Sequence, residues 1–199
     1  MRRGRRSVGR TERVVPPRVV AAERAASAGD FTKSCLPEVG RLLALAAAAK
    51  PGGVVAESGT GAGVGTAWLH SGLDAGARLF TVERDEELAR RVADDYADDE
   101  RVSVIAGDWR LLERYAPFDV FFCDGGGKRD APQAVIDLLA PGGLLVLDDF
   151  TPSPEWPPRF EGAVDELRMF YLTHPDLDAT EVLTSPAGSV VIGARRARR

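Results

Sequence analysis

The sequence predicts an α/β fold, an open and mostly parallel sheet with helices on both faces. Three observations predict it. Short apolar runs of strand length alternate with segments of helical apolar spacing between Val54 and Leu147. A glycine-rich loop sits between the first of these runs and the helix after it. The last two runs, Thr180–Leu183 and Ser189–Ala194, are separated only by the turn Pro186-Ala187-Gly188, so they are expected to pair as a hairpin and form one antiparallel edge.

Each element has its own signal. A helix is expected over Arg18–Ala28, ended by Gly29-Asp30. A second runs from about Pro37 to Ala49: Leu36, Val39, Leu43 and Ala46 recur three or four apart, Pro37 suits a first turn, and Pro51-Gly52-Gly53 stops it. Strands follow at Val54–Glu57, Leu79–Glu83, Val102–Ile105, Asp119–Cys123 and Leu144–Leu147. Between them the pattern predicts helices over Gly65–Leu73, Asp85–Ala97 and Ala131–Leu139, with a short one near Leu111–Tyr115. Phe160, Val164, Leu167 and Phe170 predict a last helix over Arg159–Thr173.

Length and composition fit one domain. The chain has 199 residues, 44% hydrophobic and 28% charged, which excludes disordered and fibrous classes. Residues 1–16 read as a basic, flexible arm, and 17–199 as a single domain whose N-terminal helices occupy about 18–50. No apolar run is long enough to span a bilayer, and no apolar segment follows the basic start, so neither membrane insertion nor a secretory signal is expected. With only Cys35 and Cys123, the expected setting is the cytoplasm, and both read as small apolar residues. The net charge is −4, although arginines crowd both ends, from Arg2 to Arg10 and from Arg195 to Arg199. These ends are read as solvated tails; an RNA partner is the alternative they leave open.

In sheets of this kind ligands lie beyond the C-terminal strand ends. Those ends carry Glu57–Gly65, Glu83, Gly107-Asp108, Asp124–Lys128 and Asp148-Asp149, nearly all glycine or carboxylate. The loop Glu57-Ser58-Gly59-Thr60-Gly61-Ala62-Gly63-Val64-Gly65 has the spacing G-x-G-x-G. A dinucleotide fingerprint would need a glycine at position six, but counting from Gly59 gives Val64 and from Gly61 gives Thr66. That disfavours a nicotinamide oxidoreductase.

The loop, with Glu57, Gly59, Gly61 and Gly63 in place, resembles the first motif of class I S-adenosylmethionine (SAM)-dependent methyltransferases. The resemblance covers roughly residues 34–195 and implies a Rossmann-like doubly wound sheet of seven strands. It implies that Glu57, Gly59, Thr60, Gly61 and Gly63 pack on the cofactor. Glu83 would bind the ribose hydroxyls, a vicinal diol that a carboxylate suits because it accepts two hydrogen bonds. Asp108, with Trp109 beside it, would face the adenine; a helix cap and a packed aromatic are the alternative. The relatives often hold the methionine carboxylate with a Ser where this chain has Gly65, so Thr66 or Ser34 would have to substitute.

Among such enzymes the chain is most similar to the small O-methyltransferases related to the catechol and caffeoyl-CoA enzymes. The Asp124-Gly125-Gly126-Gly127-Lys128 turn disfavours the nitrogen-methylating class. The resemblance implies that Asp124, Asp148 and Asp149 hold a divalent cation such as Mg²⁺, for which hard oxygen ligands are suited. It implies Asp124 and Lys128 as catalytic residues and Asp124 as a cofactor contact, a small-molecule acceptor, and dimerisation through the N-terminal helices. The relatives usually carry Asn where Asp149 stands, and place the Lys one residue earlier, at Gly127. A cofactor-binding protein without catalysis is the second reading. Trp156, in a loop with four prolines, is placed either over an aromatic acceptor or as an anchor of its own loop.

Overall fold

The computed structural model describes residues 14–197. The Arg2–Arg10 cluster, Arg198 and Arg199, and most of the expected N-terminal arm lie outside the described residues. Two helices, α1 (Pro17–Ala28) and α2 (Pro37–Ala48), open the fold, each with proline in its first turn. There the missing N–H costs nothing and the fixed φ favours helix.

The strands are β1 (Val54–Ser58), β2 (Arg78–Glu83), β3 (Val102–Ala106), β4 (Phe118–Cys123) and β5 (Leu139–Phe150). Later come a short hairpin, β6 (Arg159–Phe160) with β7 (Ala163–Val164), and the long strands β8 (Leu177–Ser185) and β9 (Gly188–Arg195). The helices between them are α3 (Val64–Ser71), α4 (Glu86–Asp95), α5 (Pro132–Asp137) and α6 (Glu166–Thr173). A 3₁₀ turn covers Trp109–Tyr115.

The main sheet has seven strands in the order β3-β2-β1-β4-β5-β9-β8. The first five are parallel, and β9 runs antiparallel to both β5 and β8. The expected doubly wound sheet with an antiparallel edge is what the chain forms. Central strands are covered on both faces, so apolar side chains point to both sides of them and no strict polar alternation is seen. In β4, Val120 and Phe122 belong to one core, with Val19, Leu43 and Leu69 from α1–α3. Phe121 and Cys123 belong to the other, with Ile136, Leu147 and Tyr171.

One expectation needs correction. Residues 159–165 are not helical: β6 and β7 meet at a turn where Glu161 (φ 50°) and Gly162 (φ 83°) are both left-handed. Such a pair closes a tight hairpin, and the apolar spacing of Phe160 and Val164 imitates a helical repeat. Helix α6 begins only after Asp165, whose side chain accepts from Arg168 N and caps it.

Strand order reverses between β1 and β4, so the cleft opens beyond their C-terminal ends, beside the glycine-rich loop. Among the described residues no helix is long and apolar enough to cross a membrane.

Candidate functional site

The loop after β1 is tied to β2: Gly59 and Thr60 donate to the Val82 carbonyl, and Gly61 N donates to Glu83 Oε2 at 2.8 Å. Glu83 Oε1 accepts from Asp85 N. Glu83 is therefore fixed at the cavity wall while both its oxygens keep acceptor capacity. Gly59, Gly61 and Gly63 all have positive φ, the conformations that turn the loop into the start of α3.

Above this loop lies a cavity of about 450 Å³, a volume that suits a nucleoside-sized ligand. Glu57, Gly59, Thr60, Gly61, Glu83, Trp109 and Asp124 all line it. Two of the expected cofactor residues point elsewhere. Gly63 faces Val92 of α4. Asp108 caps the 3₁₀ turn through Arg110 N and pairs with Arg84 and Arg110. The capping alternative describes Asp108 as it stands.

Glu57 plays a different part from Glu83. Its carboxyl is fully buried, and one oxygen accepts from Thr66 and Thr81. The other, Oε1, has no partner. Burial pushes its pKa up to about 8, against the two threonine hydrogen bonds.

The turn after β4 explains its own glycines. Gly125 lies against the backbone of Gly59, and a Cβ at either position would enter the other's main chain. A Cβ on Gly126 would collide with the Trp109 indole. The turn therefore packs flat on Trp109 and sends Lys128 inward. Lys128 is 5% exposed, and its Nζ donates to the Asp148 carbonyl at 2.9 Å. The same Nζ lies 3.9 Å from an oxygen of Asp124 and 3.9 Å from one of Asp149.

Asp124, Asp148 and Asp149 each offer an oxygen within 4.8 Å of the others. Asp124 Oδ1 is buried without a hydrogen-bond partner. Burial and the neighbouring carboxylates hold the Asp124 pKa above the usual carboxylate range, with Lys128 opposing; burial likewise raises Asp148. Asp149 has a φ of 66°, a left-handed conformation that Asn and Asp tolerate best among residues with side chains. This donor set fits a hard divalent cation.

A second cavity of about 550 Å³ adjoins the first. Lys33, Ser34, Cys35 and Asp124 line both. The second is closed by Asp148–Thr151 and by the β8–β9 turn, with Thr184, Ser185 and Gly188. Trp156 is 69% exposed and does not line it.

The family model for Protein-L-isoaspartate(D-aspartate) O-methyltransferase (PCMT) matches residues 26–148, more than half of the chain. The chain belongs to this family. The resemblance to class I methyltransferases is thereby borne out. Among named relatives of this PCMT-family chain, a "Putative O-methyltransferase" of Mycolicibacterium paratuberculosis is 34% identical over 139 residues. That match covers 64% of this chain and 60% of the relative, so the chain spans less than two thirds of that relative's length.

Two solved structures share the fold of the PCMT-family chain. One is the O-methyltransferase from Bacillus cereus in complex with SAH, with a TM-score of 0.72, 22% identity, and coverage of 89% of this chain and 90% of that one. The other is TomG from Streptomyces achromogenes, an O-methyltransferase involved in tomaymycin synthesis, in complex with SAM. It has a TM-score of 0.71, 21% identity and 92% coverage of both chains.

Sequence reasoning missed most of the segment between α1 and α2. Ser34 was singled out, but Phe31, Lys33 and Cys35 carried no motif. Their one signal was position: a short linker that must cross the open end of the sheet.

Proposed function

We propose that this chain is a SAM-dependent O-methyltransferase acting on a small-molecule acceptor. The observation that carries the reading is the junction of the two cavities at Asp124. One is floored by the glycine-rich loop and walled by Glu83; the other is lined by Asp124, Asp148 and Asp149, with the buried Lys128 Nζ 3.9 Å behind Asp124. Glu83 would receive the ribose hydroxyls, and the Trp109 indole would flank the base. SAM supplies, when bound, an activated methyl group on its sulfonium.

This chain's residues then have to bring the acceptor oxygen into line and manage one proton. Asp124, Asp148 and Asp149 are the residues that would hold a divalent cation, which supplies positive charge to lower the acceptor hydroxyl's pKa. Lys128 Nζ, 3.9 Å from both Asp124 and Asp149, takes the role of proton acceptor, with those two carboxylates orienting it. In-line displacement needs little further chemistry beyond positioning.

The test is calorimetric and kinetic together. The purified chain should bind SAH, and Glu83→Ala should weaken that binding. Lys128→Met should keep SAH affinity and lose methyl transfer to a panel of catechols and other hydroxylated acceptors. Failure of the wild type to bind SAH would sink the reading. Mg²⁺ that gives neither heat nor a thermal shift would remove the cation from it.

A further inference from the structure

The second cavity is a poor slot for a flat ring. Sites for flat apolar ligands are lined mainly by hydrophobic and aromatic side chains. Among the described residues this lining holds one aromatic side chain, Phe150. It is 4% exposed, and the Arg168 guanidinium lies over its ring at 5.2 Å, so it offers no open face.

What the cavity offers instead is hydroxyls. Thr184 and Ser185 both line it, although they are neighbours on β8. Neighbours on a regular strand point to opposite faces. The pairing with β9 explains the exception. Leu183 lies opposite Ser189 and Ser185 opposite Gly188, so the register shifts at Thr184 and leaves it without a cross-strand partner. An extra residue of this kind re-aims a side chain, and such bulges gather beside active sites. The Thr184 hydroxyl is shielded from solvent and makes no hydrogen bond among the described residues. A buried orphan hydroxyl is costly unless a ligand satisfies it. A Cβ on Gly188 would lie 3.1 Å from Ser185 Oγ and 3.5 Å from Thr184 Oγ1. The two hydroxyls therefore stand over a notch that is open because position 188 has no side chain. The notch and the three carboxylates line the same cavity.

Given the SAM reading above, on which this rests, we infer that the acceptor is a polyhydroxylated, non-aromatic molecule of the cyclic-polyol class, and that Thr184 reads one of its hydroxyls away from the reacting oxygen. The transfer itself is unchanged: the acceptor oxygen loses its proton to Lys128 and bonds the methyl as the sulfonium C–S bond breaks, leaving SAH. Thr184 sets specificity. An acceptor without the matching hydroxyl leaves its side chain unpaired and is rejected.

The experiment compares three six-membered rings that share a vicinal diol. They are myo-inositol, cis-1,2-cyclohexanediol, which lacks the further hydroxyls, and catechol, which is flat. Methyl transfer from SAM with Mg²⁺ present, and titration of each ring into SAH-saturated protein, are read on the wild type and on Thr184→Val, Thr184→Ser and Gly188→Ala. myo-Inositol should exceed both other rings about tenfold or more in kcat/KM and in affinity. Thr184→Val should erase that advantage, through KM more than kcat; Gly188→Ala should reduce it, and Thr184→Ser should keep it. Thr184→Val should melt no lower than wild type, because it removes an unsatisfied hydroxyl. A lower Tm would mean that the hydroxyl is bonded within the fold, and overturns its role. Catechol outrunning myo-inositol, or an inositol advantage that survives Thr184→Val, overturns the proposal. So does a protein that binds SAH and transfers methyl to none of the rings. A wild type that does not bind SAH overturns the SAM reading itself, which separates the two failures.

Discussion

The Tyr171 hydroxyl donates a 2.9 Å hydrogen bond to the backbone carbonyl of Lys128, reaching from α6 to the turn after β4. Both residues are buried. The bond links the last helix to the residue whose Nζ enters the carboxylate cluster. Tyr171→Phe keeps the ring and removes the bond. It should cost roughly 1–3 kcal/mol, because a buried carbonyl is left unpaired. Urea unfolding measures that cost. Turnover should fall as Lys128 loses its anchor, while SAH affinity stays close to wild type.

Glu57 predicts a pH dependence with a definite sign. Folding raises its pKa from 4.5 to about 8, so the folded state holds a proton that the unfolded state has released. The stability this group contributes is fully present below about pH 4.5 and is lost as pH rises through 8. Glu57→Gln should flatten the decline of Tm between pH 5 and 8 relative to wild type. Parallel Tm curves for the two proteins would refute the assignment.

Arg168 is fully buried, with Asp165 and Glu181 each 2.9 Å from its guanidinium. Its guanidinium also lies over Phe150, at the end of β5 beside Asp149. Replacing it by Met leaves two half-buried carboxylates without their cation. The expected loss is about 3–5 kcal/mol, read from denaturant midpoints. Adding Glu181→Gln to Arg168→Met should recover part of it.

The packing of Gly126 on Trp109 makes a further variant informative. Gly126→Ala forces the indole to move or the turn to lift. Overpacking of this kind costs roughly 1–3 kcal/mol. Because Trp109 lines the first cavity, SAH affinity should fall alongside stability. Retained affinity would show that the indole does not flank the ligand.

Much of this was legible in the sequence because it is local. The strands came from apolar runs, the turns from glycine and proline, and the Glu83 wall from its place at a strand end. Phe160 and Val164 misled because the same spacing fits a helix and the two arms of a hairpin; Gly162 was the signal that distinguished them. Gly63 and Asp108 lie in motif positions, yet their contacts are decided by α4 and by two arginines, which spacing does not reveal. The inward course of Lys128 depended on how three glycines pack against Trp109 and Gly59, a tertiary fact.

The contact between Gly59 and Gly125 has a consequence for how the site responds to its surroundings. Main chain meets main chain there, across the gap between β1 and β4. The base beneath a ligand is therefore built of peptide groups, which carry fixed dipoles and no ionisable proton. Its polarity cannot change with pH or buffer. Sensitivity to acid and base is left to the carboxyls that line the same cavity, Glu57 and Asp124, so the backbone base and these side chains can be altered separately by substitution.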